Sequence, residues 1–167
     1  MIDLASHIVA VPDFPKPGIL FRDIAPLLRH HFRATIDALA DRLTADEWAA
    51  VDVVVGIESR GFVLGAALAD RMGKAFAPVR KQGKLPPPVV ALPYTLEYGV
   101  GVLEMQRGDG NALLVDDVLA TGGTLAASAD LCEAAGYAVR QLLVLIDLNI
   151  VPDFAWHGLP ARRVVAY

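Results

Sequence analysis

Cysteine is nearly absent. The 167 residues hold one, Cys132, which excludes an intramolecular disulfide framework and is compatible with a reducing compartment. Charge is also sparse: 20% of residues are charged, and the net of −4 removes any general attraction to nucleic acid or an anionic membrane. An anion site, if there is one, must be local. No apolar run approaches the ~20 residues that span a bilayer, so no membrane segment is expected. The stretch from Met1 to Val11 holds Asp3 and His7 and lacks a basic region followed by a long apolar one. A signal peptide is therefore not expected, and the cytoplasm is the expected location. The four histidines, His7, His30, His31 and His157, lack metal-ligand spacing.

Apolar residues, by contrast, make up 54% of the chain, enough for one domain over 1–167 with a sizeable core. Val51 to Ile57 is almost continuously apolar and β-branched, the pattern of a strand buried on both faces. Gly56-Ile57-Glu58-Ser59-Arg60-Gly61 turns it into a helix expected over Phe62 to Met72. Ala75 to Arg80 is a short strand that ends in the basic cluster Arg80, Lys81 and Lys84. Tyr94 to Gln106 suggests an irregular hairpin. Asn111 to Val115 and Val139 to Ile146 read as buried strands, with a helix over Leu125 to Ala135 between them.

Upstream, Pro12, Pro15, Pro17 and Pro26 exclude a regular helix through residues 12–26, and Phe32 to Leu43 has an amphipathic helical face. Residues 149–167, with Pro152, Pro160 and Arg162-Arg163, give only a weak pattern. Strands alternating with helices predict an α/β fold with a central, mostly parallel sheet flanked by helices. Ligands of such sheets bind at the carboxyl ends of the strands.

The richest string is Leu113 to Leu125. An apolar run ends in Asp116-Asp117, and the small, hydroxyl- and glycine-rich turn Ala120-Thr121-Gly122-Gly123-Thr124 opens a helix. Backbone N–H groups in such a turn, aimed from a helix N-terminus, suit a phosphate monoester. Two carboxylates would repel a phosphate, so they must serve another part of the ligand: two ribose hydroxyls, or a divalent cation. The string lacks the lysine of nucleotide-triphosphate loops and the glycine spacing of dinucleotide folds. It reads as a sugar-phosphate site.

Val115 to Thr124 resembles the phosphoribosyl-pyrophosphate signature of the type I phosphoribosyltransferases. Four further blocks resemble, in order, those of the adenine phosphoribosyltransferases within that family: Phe14 to Ile24, Gly56 to Phe62, Arg80 to Pro86, and Tyr94 to Gly99. The resemblance covers about residues 12–148. It implies a type I phosphoribosyltransferase-like fold, with a small N-terminal hood over the base site at about 1–30 and a flexible catalytic loop at about 82–106. The implied reaction joins adenine to phosphoribosyl pyrophosphate, giving AMP and pyrophosphate, with magnesium and in a homodimer. A 6-oxopurine such as hypoxanthine or xanthine is the alternative base. A non-catalytic regulator would be expected to carry a DNA-binding segment and a basic face, and neither is visible.

By the same resemblance, Asp116 and Asp117 hold the ribose hydroxyls. Magnesium sits nearby and is bound mainly through the substrate's phosphates, not in a protein cage. Ala120, Thr121, Gly122, Gly123 and Thr124 hold the 5′-phosphate. Ser59, Arg60, Lys81, Lys84 and Arg80 face the pyrophosphate, and a cis bond is implied between Glu58 and Ser59. Leu20 reads the adenine edge through its backbone, Phe21 stacks on the base, and Arg22 helps position it. Read alone, Leu20 and Phe21 would simply anchor a loop, and the basic cluster would be a solvated one. Glu97 is the implied general acid/base, although by itself it reads equally as a solvated loop glutamate; Tyr98 could shield the site. Beyond Leu148, Asn149-Ile150-Val151-Pro152-Asp153 departs from the family's pattern, which leaves the far wall of the base pocket unassigned.

Overall fold

A computed structural model describes residues 2–96 and 99–167. They form two compact units, residues 1–38 and 39–167.

In the first unit, the prolines bend the chain back on itself. Strands β1 (Val9–Pro12) and β2 (Leu20–Asp23) pair antiparallel, with Val11 opposite Phe21 and Pro12 opposite Leu20. The Asp13 carboxylate accepts the Gly18 N–H at 2.7 Å and closes the connection. Phe14 meets Phe21 edge-on, ring centroids 5.1 Å apart. Pro26 sits in the first turn of α1 (Ala25–His30), where a missing N–H costs nothing. Helix α2 (Phe32–Ala40) follows the amphipathic pattern but stops short of Leu43, because the Arg42 and Leu43 amides bond to carbonyls three residues back.

The second unit opens with α3 (Ala45–Ala50), a short helix begun by a capping box. Thr44 accepts the Glu47 N–H, and Glu47 accepts the Thr44 N–H at 2.8 Å. There follow β3 (Val53–Ile57), α4 (Arg60–Met72), β4 (Ala75–Lys81), β5 (Val90–Leu96), β6 (Gly99–Met105) and β7 (Asn111–Leu119). Helix α5 (Gly123–Ala135), β8 (Ala138–Asp147), β9 (Ala155–Trp156) and β10 (Leu159–Ala166) complete it. The strands form one sheet in the order β5-β6-β4-β3-β7-β8-β10-β9. From β4 to β10 the neighbours are parallel, while β5 and β6 form an antiparallel hairpin on the β4 edge.

All five residues of β3 are buried, as are Leu113, Leu114 and the run Leu142 to Ile146. Burial on both faces is what those near-continuous apolar runs require. Cys132 lies fully buried on α5, and that burial pushes its thiol up to about 12. It is a small core residue, in line with its place in the apolar helix pattern.

Helices α4 and α5 each begin two residues earlier than the sequence reading has them, at Arg60 and Gly123, and the strands differ from it in three places. The hairpin is regular and starts at Val90, well before Tyr94, because β6 docks on β4 and gives both strands a template. Strand β7 continues four residues past Val115, since β8 goes on pairing with it through Leu119 after β3 has stopped at Val115. Strand β10 was hidden by Arg162 and Arg163, whose charges are met by Glu47 and Asp147. Among the described residues, no helix is long and apolar enough to cross a membrane.

Glu47 has a second partner besides its cap. It accepts from Arg162 on β10, so one carboxylate ties the start of α3 to the last long strand. The Arg162 hydrogen bond first, and the Thr44 amide second, lower its carboxyl from 4.5 to about 2. A depressed carboxyl adds stability above its unfolded value and loses it as pH falls towards the folded one. Thermal melts of the wild type should therefore lose Tm more steeply between pH 4.5 and about 2 than melts of Glu47→Gln. Parallel curves for the two proteins would refute this linkage.

Candidate active site

β3 and β7 lie side by side, yet their crossovers leave in opposite directions, β3 through α4 to β4 and β7 through α5 to β8. Right-handed crossovers then put α4 and α5 on opposite faces, and a crevice opens between the carboxyl ends of β3 and β7. Both chemistry-bearing turns lie there. Gly61, in the first turn of α4, is pressed so close to β7 that a Cβ would lie 3.0 Å from the Val115 carbonyl and 3.1 Å from Asp116 Oδ1.

A cavity of about 90 Å³ is lined by Asp116 and by the turn from Val118 to Leu125. Gly122 is the N-cap of α5, with φ of +83° and no side-chain hydrogen bond capping the helix. The first amides of a helix have no intrahelical acceptor, so this end presents donors and a partial positive charge. Ala120, Thr121, Gly122, Gly123 and Thr124 are thus gathered around one anion-sized space.

Asp116 and Asp117 lie within β7, on the stretch that β3 no longer covers. Asp116 Oδ1 accepts the Asp117 N–H at 2.8 Å. Burial first, and the Asp117 charge second, hold the Asp116 carboxyl well above the usual carboxylate range. Asp117 is ion-paired with Arg60, Nε to Oδ2 at 2.6 Å. Arg60 opens α4 and Ser59 is its N-cap, with the Glu58–Ser59 bond cis. The structure thus brings Ser59, Arg60, Asp116 and Asp117 to one crevice from two strand ends.

Arg80, Lys81 and Lys84 stand at the end of β4 and in the turn after it. Lys81 and Lys84 are exposed. Arg80 packs across the Phe62 ring, Cζ 5.6 Å from its centroid, and its Nε reaches Glu58 at 3.3 Å. Leu20, Phe21 and Arg22 form β2 of the first unit; Leu20 is exposed, Phe21 and Arg22 half-buried. Pro12, opposite Leu20, has no N–H to offer its partner. Glu97 and Tyr98 lie outside the described residues. Among the described residues, no group of three or more His, Cys, Asp or Glu could hold a metal ion.

Residues 27–150 match the phosphoribosyl transferase domain family. The chain is also 50% identical over 165 residues to the adenine phosphoribosyltransferase of Hydrogenovibrio crunogenus, covering 98% of this chain and 96% of that one. The chain belongs to the adenine phosphoribosyltransferase family. Solved members have the same fold. The Rhodothermus marinus enzyme superposes with a TM-score of 0.86 at 42% identity, covering 98% of this chain and 96% of that one. The Saccharomyces cerevisiae enzyme, crystallised with an imino-altritol bisphosphate and adenine, gives 0.86 at 33% identity, with coverage of 97% and 96%.

Three residues that hold the site's turns are absent from the sequence reading of the site. Glu58 accepts the Lys81 N–H at 3.0 Å. Glu104 is a buried carboxylate on β6; a lone acid between Leu103 and Met105 was the available signal. Phe154, from the divergent segment, packs on the phosphate-type turn so closely that a Cβ on Gly122 would meet its ring at 2.1 Å. Nothing in the sequence links residues so far apart.

Proposed function

We infer that the chain makes AMP by joining adenine to phosphoribosyl pyrophosphate and releasing pyrophosphate, a purine-salvage transfer. One observation carries the reading: an uncapped helix N-terminus and the Asp116 carboxylate line the same cavity, with Asp117 next to it on β7, the two halves expected of a ribose-5-phosphate site. Adenine N9 forms the new bond to the anomeric carbon, the bond to pyrophosphate breaks with its electron pair, and the N9 proton leaves to a base. Positive charge grows on the sugar and negative charge on the leaving group, so fixed charges of the matching sign lower the barrier.

Asp116 and Asp117 would hold the two ribose hydroxyls, and the amides and hydroxyls from Ala120 to Thr124 the 5′-phosphate. The Ser59 backbone, Arg60, Lys81, Lys84 and Arg80 would receive the pyrophosphate, with Arg60 drawing on its place beside Asp117. Leu20 would read the adenine edge through its backbone, in keeping with a strand partner that donates nothing. Phe21 would stack, Arg22 would position the base, and Glu97 would take the proton. Two carboxylates side by side on β7 are too few ligands for a cage and fit a hard cation that carries most of its ligands from elsewhere. Magnesium bound with the substrate supplies charge neutralisation at the leaving group.

We further propose a homodimer acting in the cytoplasm, with residues 1–30 serving the base and 82–106 the catalytic loop; a protomer mass of 17.8 kDa in solution would refute the dimer. Adenine, hypoxanthine, guanine and xanthine offered in turn with phosphoribosyl pyrophosphate and magnesium test the reading. AMP should form from adenine with a preference of ~10⁴-fold, because a site whose hydrogen-bonding groups match adenine rejects a base with the opposite pattern. Inosine monophosphate formed from hypoxanthine at a comparable rate would transfer the reading to a 6-oxopurine enzyme. No product at any magnesium concentration would overturn the activity.

A further inference from the structure

A cluster of three basic side chains is of little use to a leaving group unless it is held still. Arg80, Lys81 and Lys84 repel one another and stand at the end of a strand, in a turn that the core does not pack. The turn is nonetheless gripped on both sides by acids from elsewhere in the chain, Glu58 just past β3 and Glu104 on β6. At its start, Glu58 Oε2 accepts the Lys81 N–H at 3.0 Å and Arg80 Nε at 3.3 Å. At its end, Glu104 Oε1 accepts the Lys84 and Leu85 N–H groups, each at 2.7 Å. Arg80 closes the loop between them by donating from Nη1 to the Lys84 carbonyl at 3.3 Å.

Glu104 is the unusual member. A glutamate in a core strand, directly opposite Arg80 in the β4–β6 register, is 3% exposed. Buried charges are rare unless fully paired. The Gly83 amide first, with those of Leu85 and Lys84, keeps its carboxyl below the usual range. Successive amides converge on one carboxylate because Gly83 takes a φ of +82°, which folds the turn into a concave ring of donors. Glu104 bonds to backbone amides, and Glu58 to the Lys81 amide and the Arg80 guanidinium, while the Lys81 and Lys84 side chains stay exposed.

We infer that Glu104 and Glu58 are positioning residues for the leaving-group site, holding the 80–85 turn so that its basic side chains meet pyrophosphate in one fixed geometry. The inference rests on the proposed placement of Arg80, Lys81 and Lys84 at the pyrophosphate. Preorganised charge is worth more than mobile charge, because nothing need reorganise as the negative charge grows. Loss of the grip should therefore fall on phosphoribosyl pyrophosphate and leave adenine alone.

Glu104→Ala is expected to raise KM for phosphoribosyl pyrophosphate and weaken inorganic pyrophosphate binding by at least ~10-fold, with KM for adenine within ~2-fold of wild type. Glu104→Gln keeps an acceptor for the two amides and should recover most of the loss. A role confined to stability would instead lower Tm and leave that split unmoved. Should Glu104→Ala fail to fold, Glu58→Ala carries the same test through the other grip. Lys81→Ala and Lys84→Ala separate the premises. If they leave pyrophosphate binding unchanged, the placement of the basic cluster fails. If they weaken it while the foldable glutamate-to-alanine variant binds as wild type, the positioning role is overturned.

Discussion

Asparagine at both Asp116 and Asp117 is expected to lower kcat/KM for phosphoribosyl pyrophosphate by ~30–10³-fold, at ~1.5–3 kcal/mol for a charge-assisted hydrogen bond from Asp117 to a ribose hydroxyl and ~0.5–1.5 kcal/mol for one from Asp116. The loss should appear with the sugar substrate and spare adenine affinity, since Asp116 lines the cavity beside the phosphate-type turn and Asp117 follows it on β7. Stability should move the other way at one of the two positions. The Asp116 carboxyl is raised by burial and by its neighbour's charge, so the folded protein favours its neutral form. Asparagine imitates that form at every pH and keeps the Oδ1 acceptor for the Asp117 amide. Asp116→Asn alone should therefore raise Tm, each ~1 kcal/mol of relief appearing as ~2–4 °C. Asp117→Asn lacks this benefit, because it strips Arg60 of its ion pair. Wild-type kinetics in the double variant would remove the pair from ribose recognition, and a fall in Tm for Asp116→Asn would contradict the burial argument.

Glu97→Gln should lower kcat by ~10²–10³-fold while pyrophosphate binding stays within a few-fold of wild type. The chemistry of the transfer sets this expectation. Adenine N9 carries a proton that must leave as the bond to ribose forms, and a carboxylate near the imidazole ring can take it or hold the shifting tautomer. Glutamine is nearly the same size and can still hydrogen-bond, but it accepts no proton, so the change isolates proton transfer from packing. Glu97 lies outside the described residues, and its place in the block Tyr94 to Gly99 is what nominates it. Unchanged turnover would dismiss Glu97 from catalysis. A loss of pyrophosphate affinity as large as the loss of turnover would make it a binding residue instead.

The legibility of each element followed the range of the interactions that hold it. β3 and β8 could be read directly, because strands buried on both faces need continuous apolar runs and Val53 to Val55 and Leu142 to Ile146 provide them. Helix α3 was passed over, although Thr44 and Glu47 carry the spacing of a capping box, since six residues make too short a pattern to read. β10 was obscured by two arginines that look solvated in sequence and are paired in space. The end of β7 was misplaced because a pair of acids reads as the end of a strand, whereas pairing with β8 carries the ladder past them.

The candidate sugar-phosphate site was legible for the same reason. An acid pair, a glycine turn and a helix start are consecutive in the chain, so the backbone itself delivers them to one place. The sequence by itself thus determined the α/β class, and it placed the turn proposed as a ribose-phosphate cradle next to a strand's carboxyl end. Only the tertiary structure decided which groups meet across that crevice: Arg60 on Asp117, Phe154 on Gly122, and Glu58 and Glu104 on the basic turn. Those contacts join residues distant along the chain. They exist because the sheet order sets β3 between β4 and β7 and folds β6 back onto β4, an arrangement that no local run of side chains encodes.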